Sequence, residues 1–453
     1  MKYRISSGIR AMARHLQWVL PTALAVTTTV VSMDAAAVPA FARQTGQNCQ
    51  ACHVGGQFPE LTPYGRLFKL TGFTLGQRAS VPLAIMGVFT AVQNPGDRAV
   101  NGSNVTNDGA LTFATSSLFF GGKLTDSIGA LAQYTWNNAY NNGQNNTWFP
   151  LTGTAGSDNT DFRYAQHITN GNNDLIFGVS VNNNPGVEDV WNSSAAWGYN
   201  TVPGSFGSDN SISPILNQGL AQQAVGAGAY VYWNRTVYAE VSGYRTGDGV
   251  FSFLTQGIPS SAMNYISGTA PYVRLALTHD WGNSNAMIGY TYFAPDVYEG
   301  NLNGGPYDAY RDNMVDFQYQ YILDPNTVTV ELSDINETVN YGSAAGSAMD
   351  TNSLFRAKAS YTYEAKYGVT LLYSNGTNNV NPTSPVNTLQ YGSTAWTPEV
   401  FWIPIQNVRI GYQYTIYTSL GDIAGQQALG TMPVQLSKPG DYNTSFFYVW
   451  AAF

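Results

Sequence analysis

From Val81 to Phe453 the chain repeats one pattern: about ten residues alternating apolar and polar, then a short turn or a long stretch rich in Asn, Gly and Ser. Ala357, Ala359, Tyr361 and Tyr363 alternate with Arg356, Lys358, Ser360 and Thr362. After the turn at Glu364–Lys366 the pattern resumes with Tyr367, Val369, Leu371 and Tyr373 on one face. Val408, Ile410, Tyr412, Tyr414 and Ile416 alternate in the same way with Arg409, Gly411, Gln413 and Thr415. Residues two apart share a face only when the chain is extended, so the segment is predicted to be all-β.

Such strands suit either a soluble sandwich or propeller, with apolar faces turned to a core, or a membrane barrel, with apolar faces turned to lipid and polar faces lining a lumen. Three features favour the barrel. Tyr, Phe and Trp crowd the apolar face at strand ends, as an interfacial girdle requires. Turns alternate short and long. The last strand, Tyr442 to Phe453, carries Phe447, Val449 and Ala451 on the parity of its terminal Phe, which resembles the assembly signal of bacterial outer-membrane proteins. Short turns fall at Leu124–Ser127, Thr169–Asn173, Trp233–Arg235, Asp280–Asn283, Asp324–Asn326, Glu364–Lys366 and Pro404–Asn407. Seven such turns with both termini on one side predict a transmembrane antiparallel β-barrel of about 16 strands over residues 81–453. Asn137–Thr160, Asn183–Gln218 and Asn375–Thr397 are then expected as extracellular loops.

Residues 1–37 read as a secretory signal peptide. Lys2, Arg4, Arg10 and Arg14 form a basic start, Leu16 to Val31 an apolar run broken by Pro21, and Ala35–Ala37 a small-residue cleavage site. Past it no apolar run reaches the ~18 residues of a membrane helix. Charged residues are only 11% of the chain, with 46 Gly and 30 Tyr, unlike a disordered or helical soluble protein. The formal charge of −8, with no Lys/Arg cluster, argues against nucleic acid as a partner.

Residues 38–80 depart from the strand pattern and hold the only two cysteines, in Cys49-Gln-Ala-Cys52-His53. Cys-x-x-Cys-His is the attachment sequence of haem c: two thiols form thioethers to the vinyl groups and the adjacent imidazole is the proximal iron ligand. Zinc needs about four ligands, and His167 and His279 are distant in sequence. A redox dithiol needs a βαβ setting that is missing, and a structural disulfide leaves His53 without a role. The expected cofactor is one covalent haem c.

Downstream, Thr62 is expected as an N-cap, Pro63 as the first helical residue and Gly72 as a left-handed terminator. Between them Tyr64, Leu67, Phe68 and Leu70 present an apolar face for the porphyrin, and Arg66 and Lys69 are candidates for its propionates or else solvated cations. So short a segment seldom buries a core alone. It is expected to take cover in the lumen or at the periplasmic mouth of the barrel.

Ala42-Arg-Gln-Thr-Gly46, the Cys-x-x-Cys-His sequence and Leu61-Thr-Pro-Tyr-Gly-Arg-Leu-Phe-Lys-Leu70, followed by a barrel of this length, resemble the fused monohaem cytochrome c–porin family of outer-membrane ferrous-iron oxidases. Asn182–Asn192 with Ala196-Trp-Gly198 resembles that family's long barrel loop. The resemblance implies oxidation of extracellular Fe(II), an oxidoreductase activity, and electron delivery to a periplasmic cytochrome c or copper protein. The rivals are a diffusion porin with a structural haem plug, and electron exchange with another donor. For the distal position Met86 is the first candidate, on the inward parity of the first strand, His167 the second, and no protein ligand the third; Met ligation raises a haem's potential. His279 shares parity with Leu275 and Leu277 and is expected at the lipid interface. Glu188 and Asp189 are candidates for guiding iron, which accepts carboxylate oxygen. Arg274, Arg356, Lys358 and Arg409 are expected to face the lumen.

Overall fold

Strands of alternating polarity cannot end a sheet inside a bilayer, because an open edge leaves backbone groups without partners in hydrocarbon. The computed structural model resolves this by closure. It describes residues 39–55, 60–93, 109, 111–137, 155–186, 189–191, 193, 212–255, 263–342, 349–379, 392–421, 423 and 438–453, and the expected signal peptide lies outside them. The strands are β1 (Leu83–Gln93), β2 (Thr112–Lys123), β3 (Ile128–Asn137), β4 (Ala155–Asn170), β5 (Asn173–Asn182), β6 (Ala224–Trp233), β7 (Val237–Thr246), β8 (Ala270–Trp281), β9 (Ser284–Phe293), β10 (Asp296–Tyr298), β11 (Tyr307–Leu323), β12 (Asn326–Asn340), β13 (Met349–Tyr363), β14 (Tyr367–Asn379), β15 (Ser393–Ile405), β16 (Val408–Leu420) and β17 (Thr444–Ala452). Each pairs antiparallel with the next, except that β9 pairs β11 directly while the short β10 joins only the outer end of β11. β1 closes on β17 from Met86↔Ala452 to Gln93↔Ser445, giving a barrel of 16 long strands.

All seven short turns fall where the sequence puts them, and they mark the periplasmic rim. The expected loops are trimmed by strand: β4 already begins at Ala155, β14 runs to Asn379 and β15 starts at Ser393. Parity holds too. Ile85, Val241, Leu275, Leu277, Ile288, Val315 and Val400 are each at least half exposed on the outer wall, while Arg163, Arg274, Arg356, Lys358 and Arg409 are buried inside. Trp233, Trp281, Tyr363, Tyr367 and Trp402 stand exposed beside the short turns, where an interfacial girdle belongs. A closed antiparallel barrel with a lipid-facing apolar band places the protein in the bacterial outer membrane.

Candidate functional site

Residues 39–80 and the barrel belong to one compact unit, Pro39–Phe453. Three helices carry the segment: α1 (Ala40–Thr45), α2 (Cys49–Cys52) and α3 (Pro63–Leu70). Asn48 caps α2 by accepting from the Ala51 N–H at 2.9 Å, and Thr62 caps α3 by accepting from the Gly65 N–H at 3.2 Å. Helix α3 ends as expected, with Gly72 at φ +70° donating to the Lys69 carbonyl at 3.0 Å.

The Thr62 cap also clasps the two helices together. The Thr62 N–H donates to the Cys52 carbonyl at 2.9 Å and its hydroxyl to the Ala51 carbonyl at 2.5 Å. Gly65 lies so close that a Cβ there would sit 2.2 Å from the Cys52 oxygen. No side chain fits that contact, which explains the glycine in a helix it otherwise weakens. His53 follows α2 directly, its N–H donating to Cys49 at 2.9 Å, and its backbone bridges Leu61. Both thiols are free. Burial raises the Cys49 thiol, and burial with the neighbouring Cys49 pushes Cys52 up to about 11.

The segment is fastened around the inner wall. The Arg43 guanidinium donates to the Val81 and Leu83 carbonyls at the start of β1. Gln44, buried, donates to the Phe73 and Leu75 carbonyls at 2.7 and 2.8 Å and accepts from the Lys123 N–H at 2.8 Å. Gln50 donates to Ala365 in the β13–β14 turn at 2.8 Å. Tyr230 on β6 donates to the Leu70 carbonyl at 2.7 Å. Phe41, Phe68 and Phe73 form one aromatic cluster, with centroids 4.9, 5.6 and 5.9 Å apart.

The other predicted site residues divide by place. Arg66 donates to the Leu61 carbonyl at 2.8 Å, to Gln318 and Gln320 on β11 at 2.8 and 2.9 Å, and to Asn285 on β9 at 2.6 Å. Lys69 donates to the Asp189 carbonyl at 3.2 Å. These cations are buried anchors of α3, which corrects their reading as solvated cations. Phe68 is committed to the aromatic cluster and Leu70 packs with Ile176 and Trp191, whereas Tyr64 stays exposed. Met86 faces inward and half-buried, opposite Ser117 and Ala452. Its quadrant is that of the Cys-x-x-Cys-His turn: Gly55 accepts from Arg409 at 3.3 Å, Arg409 lies opposite Trp450, and Trp450 opposite Val88. His167 has the inward parity but sits exposed at the periplasmic rim, its Nε2 2.6 Å from Asp174, which also pairs with Arg235 at 2.9 Å. That pairing corrects its candidacy as a distal ligand. His279 lies on the outer face against Trp281, centroids 5.0 Å apart.

Glu188 lies outside the described residues. Asp189 is not a solvated guide: it is fully buried, pairs with Arg274 at 2.9 Å and accepts from the Trp191 and Ser193 N–H groups at 3.1 and 2.8 Å. Arg274 also grips Asp316 through two bonds of 2.9 Å. The stretch expected outside therefore turns into the bore, where Val190, Trp191, Ile212, Leu216 and Leu220 are buried. The sequence signalled the buried Arg274 by parity but not its partners, which come from a loop with no period.

A cavity opens beside the haem-type turn, lined by Val54, Gly55 and Glu60 from the segment and by Lys358, Glu399 and Arg409, among others, from the wall. Lys358 pairs with Glu60 and, at 2.6 Å, with Glu331, and Arg409 with Glu399 at 3.2 Å. Two thiols not joined as a disulfide and an imidazole next in sequence make a donor set that fits haem c.

No protein-family model matches the chain, and no curated protein matches it by sequence. Solved structures similar to it include an anion-selective porin from Comamonas acidovorans, 11% identical, TM-score 0.44, covering 83% of this chain and 99% of that one. The outer-membrane channel DcaP of Acinetobacter baumannii is 12% identical at TM-score 0.43, covering 82% and 96%. A loop L8 deletion mutant of OmpT from Vibrio cholerae is 10% identical at TM-score 0.43, covering 82% and 98%.

Proposed function

We propose that the protein is an outer-membrane cytochrome-porin that oxidises extracellular Fe(II) and passes the electron, through one covalent haem c, to a periplasmic cytochrome c or copper protein. The observation that carries this reading is that Cys49-x-x-Cys52-His53 lies on a segment packed into the barrel, with its thiols unjoined. The apolar band of such a barrel is about 25 Å tall. A redox centre within the bore shortens the electron's path across it, and one free in the periplasm does not. Ferric iron precipitates readily above acidic pH, so leaving it outside spares the cell.

When bound, haem c supplies a one-electron couple tuned by its axial ligands and surroundings. The chain's own residues do the rest. Cys49 and Cys52 would hold the group, His53 would ligate its iron from the turn that Thr62 and Gly65 keep against α3, and Met86 is a candidate second ligand. Phe41, Phe68 and Phe73 keep water from the flank of α3. The diffusion-porin reading is weakened by a bore that holds both the N-terminal segment and an in-turned loop.

The test is stopped-flow mixing of the purified, oxidised holoprotein with Fe(II). Haem reduction on mixing, abolished in His53→Ala, is the expected result. A spectrum that stays oxidised across the accessible pH range removes Fe(II) as the donor.

A further inference from the structure

Most buried acids inside this barrel have a cation against them, as burial of charge demands. Asp161 pairs with Arg163 at 2.7 Å, Asp189 and Asp316 share Arg274, Glu331 takes Lys358, and Glu399 takes Arg409. Glu240 instead accepts from the Tyr238 and Ser242 hydroxyls at 2.7 and 2.8 Å. Asp312 and Glu337 differ in facing a second carboxylate. They face one another in register on β11 and β12, Asp312 fully buried and Glu337 nearly so, and among the described residues neither has an ion-pair partner. Arg311, next in the chain, turns to the other face and pairs with Asp296 at 2.9 Å.

Like charges directly opposite each other in a sheet repel, and more strongly when buried. Three donors hold these two. The in-turned loop donates two backbone N–H groups, Leu216 to Asp312 Oδ2 at 2.8 Å and Ile215 to Glu337 Oε2 at 2.5 Å, and Asn352 donates to Glu337 Oε1 at 2.6 Å. Asp312 Oδ1 is buried, and among the described residues no N–H or hydroxyl donates to it. A buried acceptor left bare beside a second carboxylate asks for a cation.

The surroundings suit one. Asp312, Glu337 and Asn352 stand in one register row across three adjacent strands, offering carboxylate, carboxylate and carboxamide. The next inward row towards the periplasm is Met314, Ile335 and Leu354, all apolar and buried, and closes the floor. Towards the outside stand Asp350 and Asp308, and then Glu299. Among the described residues no three acids, histidines or cysteines converge, so the set is two carboxylates and an amide, a low-charge site from which an ion can leave.

We propose that Asp312 and Glu337, with Asn352, form a divalent-cation site in the extracellular half of the bore. The inference deepens the function proposed above, naming where Fe(II) is held before it gives up its electron. Asp312 is four residues along β11 from Asp316, which shares Arg274 with the Asp189 loop bonded to Lys69 of α3. At ~3.3 Å per residue the site stands about 13 Å along the wall from that junction.

The experiment uses Mn(II), which binds like Fe(II) to oxygen donors and leaves the haem's redox state alone, titrated into the purified holoprotein and followed by electron paramagnetic resonance. One bound ion per chain is expected, displaced by Fe(II), with affinity at least tenfold weaker in both Asp312→Asn and Glu337→Gln. Asp126→Asn, fully exposed on the opposite rim, is expected to leave it unchanged. Binding within twofold of the parent in both site variants overturns the proposal, as does an absence of bound Mn(II) at pH 7, which makes the bare oxygen the seat of a shared proton only. Folding of each variant is checked by its haem spectrum and β-sheet circular dichroism. Mn(II) binding does not depend on electron transfer, so a site that binds Mn(II) in a protein whose haem Fe(II) cannot reduce condemns the Fe(II) function and not the site.

Discussion

At the scale of single residues the cysteines are shielded from free reactivity. Alkylation needs the thiolate, and Cys52, half-buried and beside Cys49, keeps its proton up to about pH 11 against an ordinary value of 9.0. In protein made without haem, iodoacetamide labelling at pH 8 is therefore expected to be at least tenfold slower than for free cysteine and to accelerate as pH rises towards 11. Labelling at the free-cysteine rate rules out the buried geometry. The linkage has a definite sign: the folded state keeps a proton that the unfolded state loses, so the contribution is full below about pH 9 and disappears as pH rises through about 11. Met86 allows a second prediction. If its sulfur ligates the iron opposite His53, Met86→His exchanges a potential-raising ligand for an imidazole and lowers the haem midpoint in a redox titration. An unchanged midpoint and spectrum remove Met86 from the coordination sphere.

At the scale of elements, the clasp between α2 and α3 decides whether the site exists. Gly65→Ala puts a methyl 2.2 Å from a backbone oxygen, which cannot move without parting the helices. Haem content per chain is expected to fall severalfold, while Thr62→Ala, losing a cap worth about 1 kcal/mol and the bond to Ala51, gives a milder loss. Equal haem content in Gly65→Ala and the parent means the contact is not needed for attachment. Much of this level was legible in the sequence. Period two, turn residues and the Thr62-Pro63 start are local signals, and local physics places them correctly. Ala155–Thr160 reads as loop because its residues are small and polar, yet they extend β4; hydrogen bonds to a neighbouring strand, which no single segment reveals, decide that. The partners of Arg66 and Lys69 are hidden for a similar reason: they stand on β9, on β11 and in a distant loop, and charge alone says nothing about which distant acceptor reaches it.

For the whole molecule, what a barrel with sixteen long strands does depends on whether its bore is open, and width alone leaves room for water or a plug. Here the N-terminal segment and the loop from Asn183 meet inside the bore, where Lys69 bonds Asp189 and Asp189 is pinned by Arg274. The meeting was invisible in the sequence, since it joins two aperiodic stretches through a strand residue read only as facing inward. It leads to a prediction that separates an electron conduit from a diffusion channel. In planar bilayers the parent protein is expected to show no steady open-channel steps. Arg274→Leu leaves Asp189 and Asp316 buried without their cation, a loss of about 3–5 kcal/mol that the fold relieves by releasing the loop. Channel steps are expected to appear in that variant, while its haem content, which the proposed function assigns to α2, stays at the parent level. Steady conductance in the parent, unchanged by the substitution, means that solute passes freely through the bore and that the segment is a filler rather than the core of an electron path.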